Sequence, residues 1–287
     1  MNQDLAGKNF IVTGSNSGIG KVTALELARR GAHVIMACRT LSKAQAVADE
    51  IKQETGNQQV EVVQLDLGSL ESVRKCATEL LARELPIHAL INNAGLTVGL
   101  RGDRTLTPEG FERTFGTNHL GHYLLTRLLL DRIKQTPGAR IVNVSSHSHY
   151  LARKINWDAF RRAGGRVGLK EYEVSKLCNV LFSRELARRL AGTGVTTYAL
   201  HPGQVATDIW RRLPGPAAWL FKKIMITPEQ GAVSSLHCAT SPEAASETGL
   251  YYDEKGKQKH PSRIAQDDEL ARTLWTKSAE WTGLPVD

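Results

Sequence analysis

FIVTGSNSGIG, residues 10–20, decides the fold. A short β-branched run, Phe10-Ile11-Val12-Thr13, stops at a glycine. Glycines then recur as G-x-x-x-G-x-G at Gly14, Gly18 and Gly20, with Ser15, Asn16, Ser17 and Ile19 between them. Helical spacing begins at once, with Ala24, Leu25, Leu27 and Ala28 on one face. The tight turn needs Gly14, close approach of a pyrophosphate needs Gly18, and close helix–strand packing needs Gly20. The free N–H groups and positive dipole end of the new helix then face the phosphates.

The same beat continues outward. Val34-Ile35-Met36-Ala37, Val60 to Leu65, Ala89-Leu90-Ile91-Asn92, Arg140 to Ser145 and Val195 to Leu200 are further apolar runs. Helices are expected from Ser42 to about Thr55, from near Ser69 to Glu84, from near Phe111 to Gln135, from the YEVSK segment to Leu190, and from Asp267 to about Trp281. Six apolar runs separated by helices predict a single-domain α/β fold, a doubly wound parallel sheet (Rossmann fold) with helices on both faces. The nucleotide half is placed at about 1–137 and the catalytic and substrate half at about 138–287. Two stretches break the beat. Residues 147–170, rich in Arg and Gly, are inserted before the YEVSK helix and are expected to loop out. Residues 204–226 carry Trp210, Leu213, Trp219, Leu220, Phe221, Ile224 and Met225. Three readings stay open for that second stretch: a lid over an oily substrate, a patch on a membrane surface, or packing on the core.

Composition excludes several classes. With 287 residues and 41% hydrophobic residues the chain suits one large domain. No segment approaches the roughly twenty apolar residues that span a bilayer, and MNQDLAGKNF lacks the charged start and apolar core of a signal peptide. Cys38, Cys76, Cys178 and Cys238 stand far apart without a C-x-x-C pair, so they read as reduced, and a cytoplasmic setting follows as the expectation. The formal charge of +8 is scattered as pairs such as Arg29-Arg30, Arg188-Arg189 and Lys222-Lys223. Aromatics are not interleaved with them, which speaks against nucleic acid; peripheral contact with an anionic membrane stays open.

The end of the second run should meet an adenosine ribose. Ala37-Cys38-Arg39 offers no carboxylate for a ribose 2′-hydroxyl. It offers a guanidinium, the group suited to a 2′-phosphate, so NADP(H) is expected over NAD(H).

At this point the sequence resembles the short-chain dehydrogenase/reductase superfamily. The motifs stand in order: TGSNSGIG at 13–20, ACR at 37–39, LDL at 65–67, NNAG at 92–95, Asn118 within TNHLGH, VNVSS at 142–146, YEVSK at 172–176 and HPG at 201–203. The retinol dehydrogenase branch is the nearer likeness, through MACR, FGTNHLGHYLLT, SKLCNVLFSRELARRL and GTGVTTYALHPG. The resemblance implies Ser146, Tyr172, Lys176 and Asn118 as the catalytic set, with Asn118 holding a water in the proton path. It implies Asp66 and Leu67 as adenine contacts and Asn93, in the turn with Ala94 and Gly95, beside the adenosine ribose. Val205 and Thr207 fall at the nicotinamide end.

Side-chain chemistry supports those roles independently. Hydride transfer to a carbonyl builds negative charge on oxygen, which needs a proton and aimed donors. Ser146 can donate a hydrogen bond and Tyr172 a proton. Lys176 lies one helical turn beyond Tyr172, where its ammonium is expected to lower the phenol pKa and to bind the nicotinamide ribose.

The serine and tyrosine stand 26 positions apart, further than in shorter members of the superfamily, which leaves Ser145 as an alternative to Ser146. His119, His122, His147 and His149 cluster near the motifs, but no spacing matches a metal site and none is expected. The resulting expectation is an NADP(H) oxidoreductase for a hydrophobic alcohol/carbonyl pair, retinoid or otherwise lipid-derived. The alternatives are a non-catalytic NADP(H) sensor and a sugar-nucleotide epimerase or dehydratase. Pairing of identical chains, through the helices that carry Asn118 and Tyr172, is plausible by analogy.

Overall fold

Strand β1 (Asn9–Thr13) is buried along its whole length, and its side chains serve two cores in alternation. Phe10 and Val12 join one apolar cluster while Ile11 joins the other, as the two-residue period of a strand requires. The computed structural model describes residues 3–96, 105–163, 168–203 and 226–287. Within them seven parallel strands form one sheet in the order β3-β2-β1-β4-β5-β6-β7. The others are β2 (His33–Cys38), β3 (Val60–Gln64), β4 (Ala89–Asn92), β5 (Arg140–Val144), β6 (Thr196–Leu200) and β7 (Leu250–Tyr252). The edge strand β3 alone shows polar alternation, with Glu61 and Gln64 exposed.

Helices α1 (Gly18–Arg29), α2 (Leu41–Thr55) and α7 (Pro228–Thr240) cover one face. Helices α3 (Leu70–Ala82), α5 (Gly121–Lys134) and α6 (Leu169–Arg189) cover the other, with α8 (Asp268–Thr282) packed outside α6. The doubly wound expectation is met. The six runs correspond to β1 through β6; β7 escaped the reading because three residues are too few to show a period. Helix α7 was not placed either, although its start carries a clear signal. Thr227 and Gln230 exchange capping hydrogen bonds around Pro228.

The long helix expected over 111–135 is broken in register. A single turn α4 (Arg113–Phe115) passes into a π-helical turn, Gly116–Leu120, before α5. Such turns often mark functional sites, and this one carries Asn118.

The insertion after β5 does not loop free. It forms two 3₁₀ turns, His147–Leu151 and Trp157–Arg161. Phe160 stacks on Phe115 with ring centroids 3.6 Å apart, and its carbonyl accepts the Glu112 amide at 2.8 Å. The Arg161 guanidinium covers the Phe111 ring at 3.7 Å. Apolar and aromatic residues scattered among the Arg and Gly of this stretch dock it onto a third apolar cluster with Leu177, Leu181 and Leu274.

Candidate active site

In this strand order the winding reverses between β1 and β4, which opens a crevice at the carboxyl ends of the strands. Two groups of residues converge there. The first is the glycine turn. Gly14 has φ +65°, and a Cβ on Gly20 would lie 2.4 Å from the Asn93 amide nitrogen and 2.5 Å from the Gly14 carbonyl oxygen. Neither position accepts a side chain. The hydroxyl of Thr13 binds the next loop, accepting the Asn93 and Ala94 amides at 3.0 Å each. Asn93 donates its side-chain amide to the Thr13 carbonyl at 2.8 Å. The side chain expected beside the ribose therefore also pins the turn. Ser15 is buried and donates to Val12 O, whereas Ser17, at the helix N-cap, is exposed. Arg39 follows β2 directly, is exposed, and has no hydrogen-bond or ion-pair partner among the described residues. Asp66 accepts the Gly68 amide at 2.9 Å in the turn after β3, and the neighbouring Leu67 is buried in the core.

The second group stands at the end of β5. Ser145 and Ser146 are separated by their hydroxyls. Ser145 is buried and donates to the Lys176 carbonyl at 2.7 Å, so it is a structural tie. Ser146 donates its hydroxyl to Ser148 Oγ at 3.3 Å and stands close enough to the Tyr172 phenol to favour its charged form. It also accepts the Ser148 amide at 3.1 Å. Lys176 is buried, donates to the Val144 carbonyl at 3.0 Å, and lies over the Tyr172 ring with Nζ 5.6 Å from its centroid. A Cβ on Gly95 would stand 3.2 Å from Lys176 Nζ, so a glycine there keeps the ammonium open to the crevice.

The electrostatics depart from expectation. Burial is the main cause at Tyr172 and raises its pKa; only the Ser146 hydroxyl acts to lower it. Burial likewise pulls Lys176 down to about 8. Desolvation governs both groups, so the phenol is held in its neutral form and is poised as an acid.

Asn118 is fully enclosed. Its Oδ1 accepts the Leu96 amide at 2.8 Å, and its Nδ2 donates to the Leu96 carbonyl at 2.9 Å and to Ser175 Oγ at 3.0 Å. Ser175 in turn donates to the Tyr172 carbonyl at 2.8 Å. Asn118 thus joins the loop after β4 to the first turns of α6.

A short chain dehydrogenase family model matches residues 8–216. Human retinol dehydrogenase 11 is 45% identical over 289 residues, covering 99% of this chain and 88% of that protein. The chain belongs to the short-chain dehydrogenase/reductase family. Its members are oxidoreductases that use nicotinamide cofactors. Among solved structures, an uncharacterised protein from Mycobacterium paratuberculosis superposes with a TM-score of 0.78 at 35% identity, covering 99% of this chain and 96% of that one. The 3-ketoacyl-(acyl-carrier-protein) reductase of Brucella melitensis, complexed with NADH, gives 0.68 at 26%, covering 87% and 97%.

In this short-chain dehydrogenase/reductase the insertion leaves Ser146 beside Tyr172, because Trp157 and Phe160 carry the extra residues away across the core. Val205, Thr207 and nearly all of the 204–226 stretch lie outside the described residues. Two residues that organise this region carry no signal in the sequence. Thr13 was taken as the end of a strand, yet its hydroxyl organises the loop after β4. His122 is left by the sequence as packing or as polar lining of the pocket, with a metal site not expected. It bonds Thr13 Oγ1 at 2.9 Å through Nε2 and donates from Nδ1 to the Asn118 carbonyl at 3.0 Å. It therefore links the glycine turn to the π-helical turn. No side-chain cluster able to hold a metal occurs among the described residues.

Proposed function

We propose that this chain interconverts a hydrophobic alcohol with its aldehyde or ketone, using NADP(H), through Ser146, Tyr172, Lys176 and Asn118. The observation that carries this reading is the meeting of Ser146, Tyr172 and Lys176 at the carboxyl end of β5, beside the glycine turn.

The residues present suit a dinucleotide. Gly14 and Gly20 let the turn close tightly on Ala94 and Asn93, which presents the N-terminus of α1 to a pyrophosphate, and Gly95 leaves room beside Lys176. Arg39, exposed and unpaired at the end of β2, favours a 2′-phosphate through a charge-assisted fork. When bound, the nicotinamide supplies or accepts the hydride.

The chain's own residues then do the proton work. Ser146 donates a hydrogen bond to the substrate oxygen, and the Ser148 amide bonded to its Oγ polarises that hydroxyl further. Tyr172, half-buried and kept neutral by desolvation of its phenol, gives its proton to the oxygen as charge develops there. The phenolate left behind is stabilised by the Ser146 hydroxyl and by the nearby Lys176 ammonium. Lys176 also holds the nicotinamide ribose. Oxidation of the alcohol runs these steps in reverse.

Similarity to retinol dehydrogenase 11 supports an oily, retinoid-like or other lipid-derived substrate. A screen of the purified chain with NADPH and NADH against short, long and polyene aldehydes tests the reading. Loss of reduced-nicotinamide absorbance, larger with NADPH and with longer aldehydes, is expected. Tight NADPH binding without turnover anywhere in the panel would instead identify a nucleotide sensor.

A further inference from the structure

Beneath the catalytic serine lies a buried imidazole to which the reaction assigns no step. His149 is completely enclosed, with its ring packed between Tyr150 and Tyr251 at centroid distances of 4.1 and 4.9 Å. Its two nitrogens meet different parts of the chain. Nε2 receives the backbone amide of Ser262 at 3.1 Å. A backbone amide can only donate, so Nε2 carries no proton, and in the neutral ring the proton sits on Nδ1. Nδ1–H points at the Ser146 carbonyl, 2.8 Å away, with the Tyr251 hydroxyl a longer second partner at 3.3 Å. That carbonyl also accepts the His149 amide at 3.1 Å.

Ser146 needs such a hold. The last ladder bond of β5 on this side is made by the Ser145 amide to Leu200 O, at 2.7 Å. Ser146 is one residue beyond it, at the start of a single 3₁₀ turn, in an extended conformation with φ −158° and ψ 155°. Rotating this peptide would swing the hydroxyl away from Tyr172.

We propose that His149 is a positioning residue. As a neutral imidazole, fixed in its Nδ1–H tautomer by the Ser262 amide, it holds the Ser146 carbonyl and thereby aims the Ser146 hydroxyl at Tyr172 and the substrate. The inference rests on the proposed function for the catalytic role of Ser146. Burial supports it by drawing the His149 pKa down to about 4, which keeps the ring neutral at neutral pH. Tyr150 adds a parallel clamp, donating its hydroxyl to the His260 carbonyl at 2.5 Å. The segment at 260–262 is thus the fixed wall against which the serine is set.

Two polar substitutions separate the two bonds. In His149→Asn the amide nitrogen replaces Nδ1 and keeps the bond to Ser146. In His149→Gln the longer amide reaches the Nε2 position and keeps only the bond to Ser262. With NADPH and octanal, His149→Gln is expected to lose about tenfold or more in kcat, with the NADPH Kd unchanged, while His149→Asn stays close to the parent. In the Ser146→Ala background His149→Gln should cost almost nothing further, because the two act as one unit. The Tyr172 ¹³Cζ resonance, identified by its loss in Tyr172→Phe, should move in His149→Gln as it does in Ser146→Ala, and stay in place in His149→Asn. Equal kcat in the two variants, the reverse order, or a multiplicative loss in the double variant overturns the assignment. A chain that turns over no aldehyde defeats the proposed function alone; the ¹³C shift then decides this inference, and an unmoved resonance in His149→Gln refutes it.

Discussion

At Tyr172 two effects compete for one proton. Burial favours the neutral phenol, the Ser146 hydroxyl favours the phenolate, and burial wins. The residue is therefore read as an acid that discharges only when an oxygen beside it becomes anionic. Tyr172→Phe keeps the ring and removes the proton; kcat should fall by about 10²–10⁴, with NADPH binding by fluorescence titration unchanged. An active Phe variant would end the acid assignment. Arg39 makes a second prediction at this scale. It is exposed and makes no hydrogen bond or ion pair among the described residues, so its removal should leave stability nearly unchanged. Arg39→Asp should lower the ratio of kcat/KM for NADPH over NADH by roughly ten- to a hundredfold, the worth of a charged hydrogen bond. A constant ratio would place recognition of the 2′-phosphate elsewhere.

Among the elements, the insertion and the π-helical turn shape the site. The insertion holds its place through a few rings rather than through regular structure. Phe160 is 5% exposed and stacks on Phe115, which directly precedes the π-helical turn carrying Asn118. Phe160→Ala should destabilise the fold by about 3–5 kcal/mol, as buried aromatic truncations do, measured by urea unfolding. A free surface loop would show almost no change. The π-helical turn meets its surroundings through two histidines. His122 reaches Thr13, and His119 bonds Ser278 Oγ of α8 at 3.0 Å. The histidines near Asn118 therefore serve as neutral connectors inside the core.

For the molecule as a whole, those histidines set a pH dependence. His119, His122 and His149 have folded pKa values lowered by burial to about 3, 4 and 4, against 6.5 for a free imidazole. Between pH 6.5 and 4 the unfolded chain binds protons that the folded chain refuses, so stability falls as pH falls through that window. Midpoints of urea unfolding at pH 7.5, 6, 5 and 4.5 should decline progressively, and His119→Phe should make the decline shallower. A flat profile would mean these rings are protonated or solvated in the fold. The face on which chain pairing was expected is partly covered from within. Trp275 of α8 lies against Tyr123 and Phe182, under the guanidiniums of Arg127 and Arg189, and donates to the Val286 carbonyl at 2.7 Å. Among the described residues no helix is long and apolar enough to cross a membrane.

Much of this was legible in the chain alone. The β-branched runs, their glycine stops and the helical spacing between them specified a parallel doubly wound sheet, since a strand buried on both faces is apolar through its middle, as Phe10-Ile11-Val12 and Ala89-Leu90-Ile91 are. The motif order gave the family, and with it Tyr172, Lys176, Asn118 and the glycine turn. The tertiary structure decided what depends on contacts across the fold. It set the Ser146 hydroxyl near the phenol and tied the Ser145 hydroxyl onto the backbone of α6, which is why the proposed mechanism uses Ser146. It reversed the expected shift at Tyr172, because desolvation depends on everything packed around a side chain and leaves no trace in local spacing. It joined Thr13, His122 and His149 to their hydrogen-bond partners, as distant in sequence as residue 262. Sequence periodicity carries short-range geometry, whereas burial and hydrogen bonds between remote segments exist only once the chain has closed on itself.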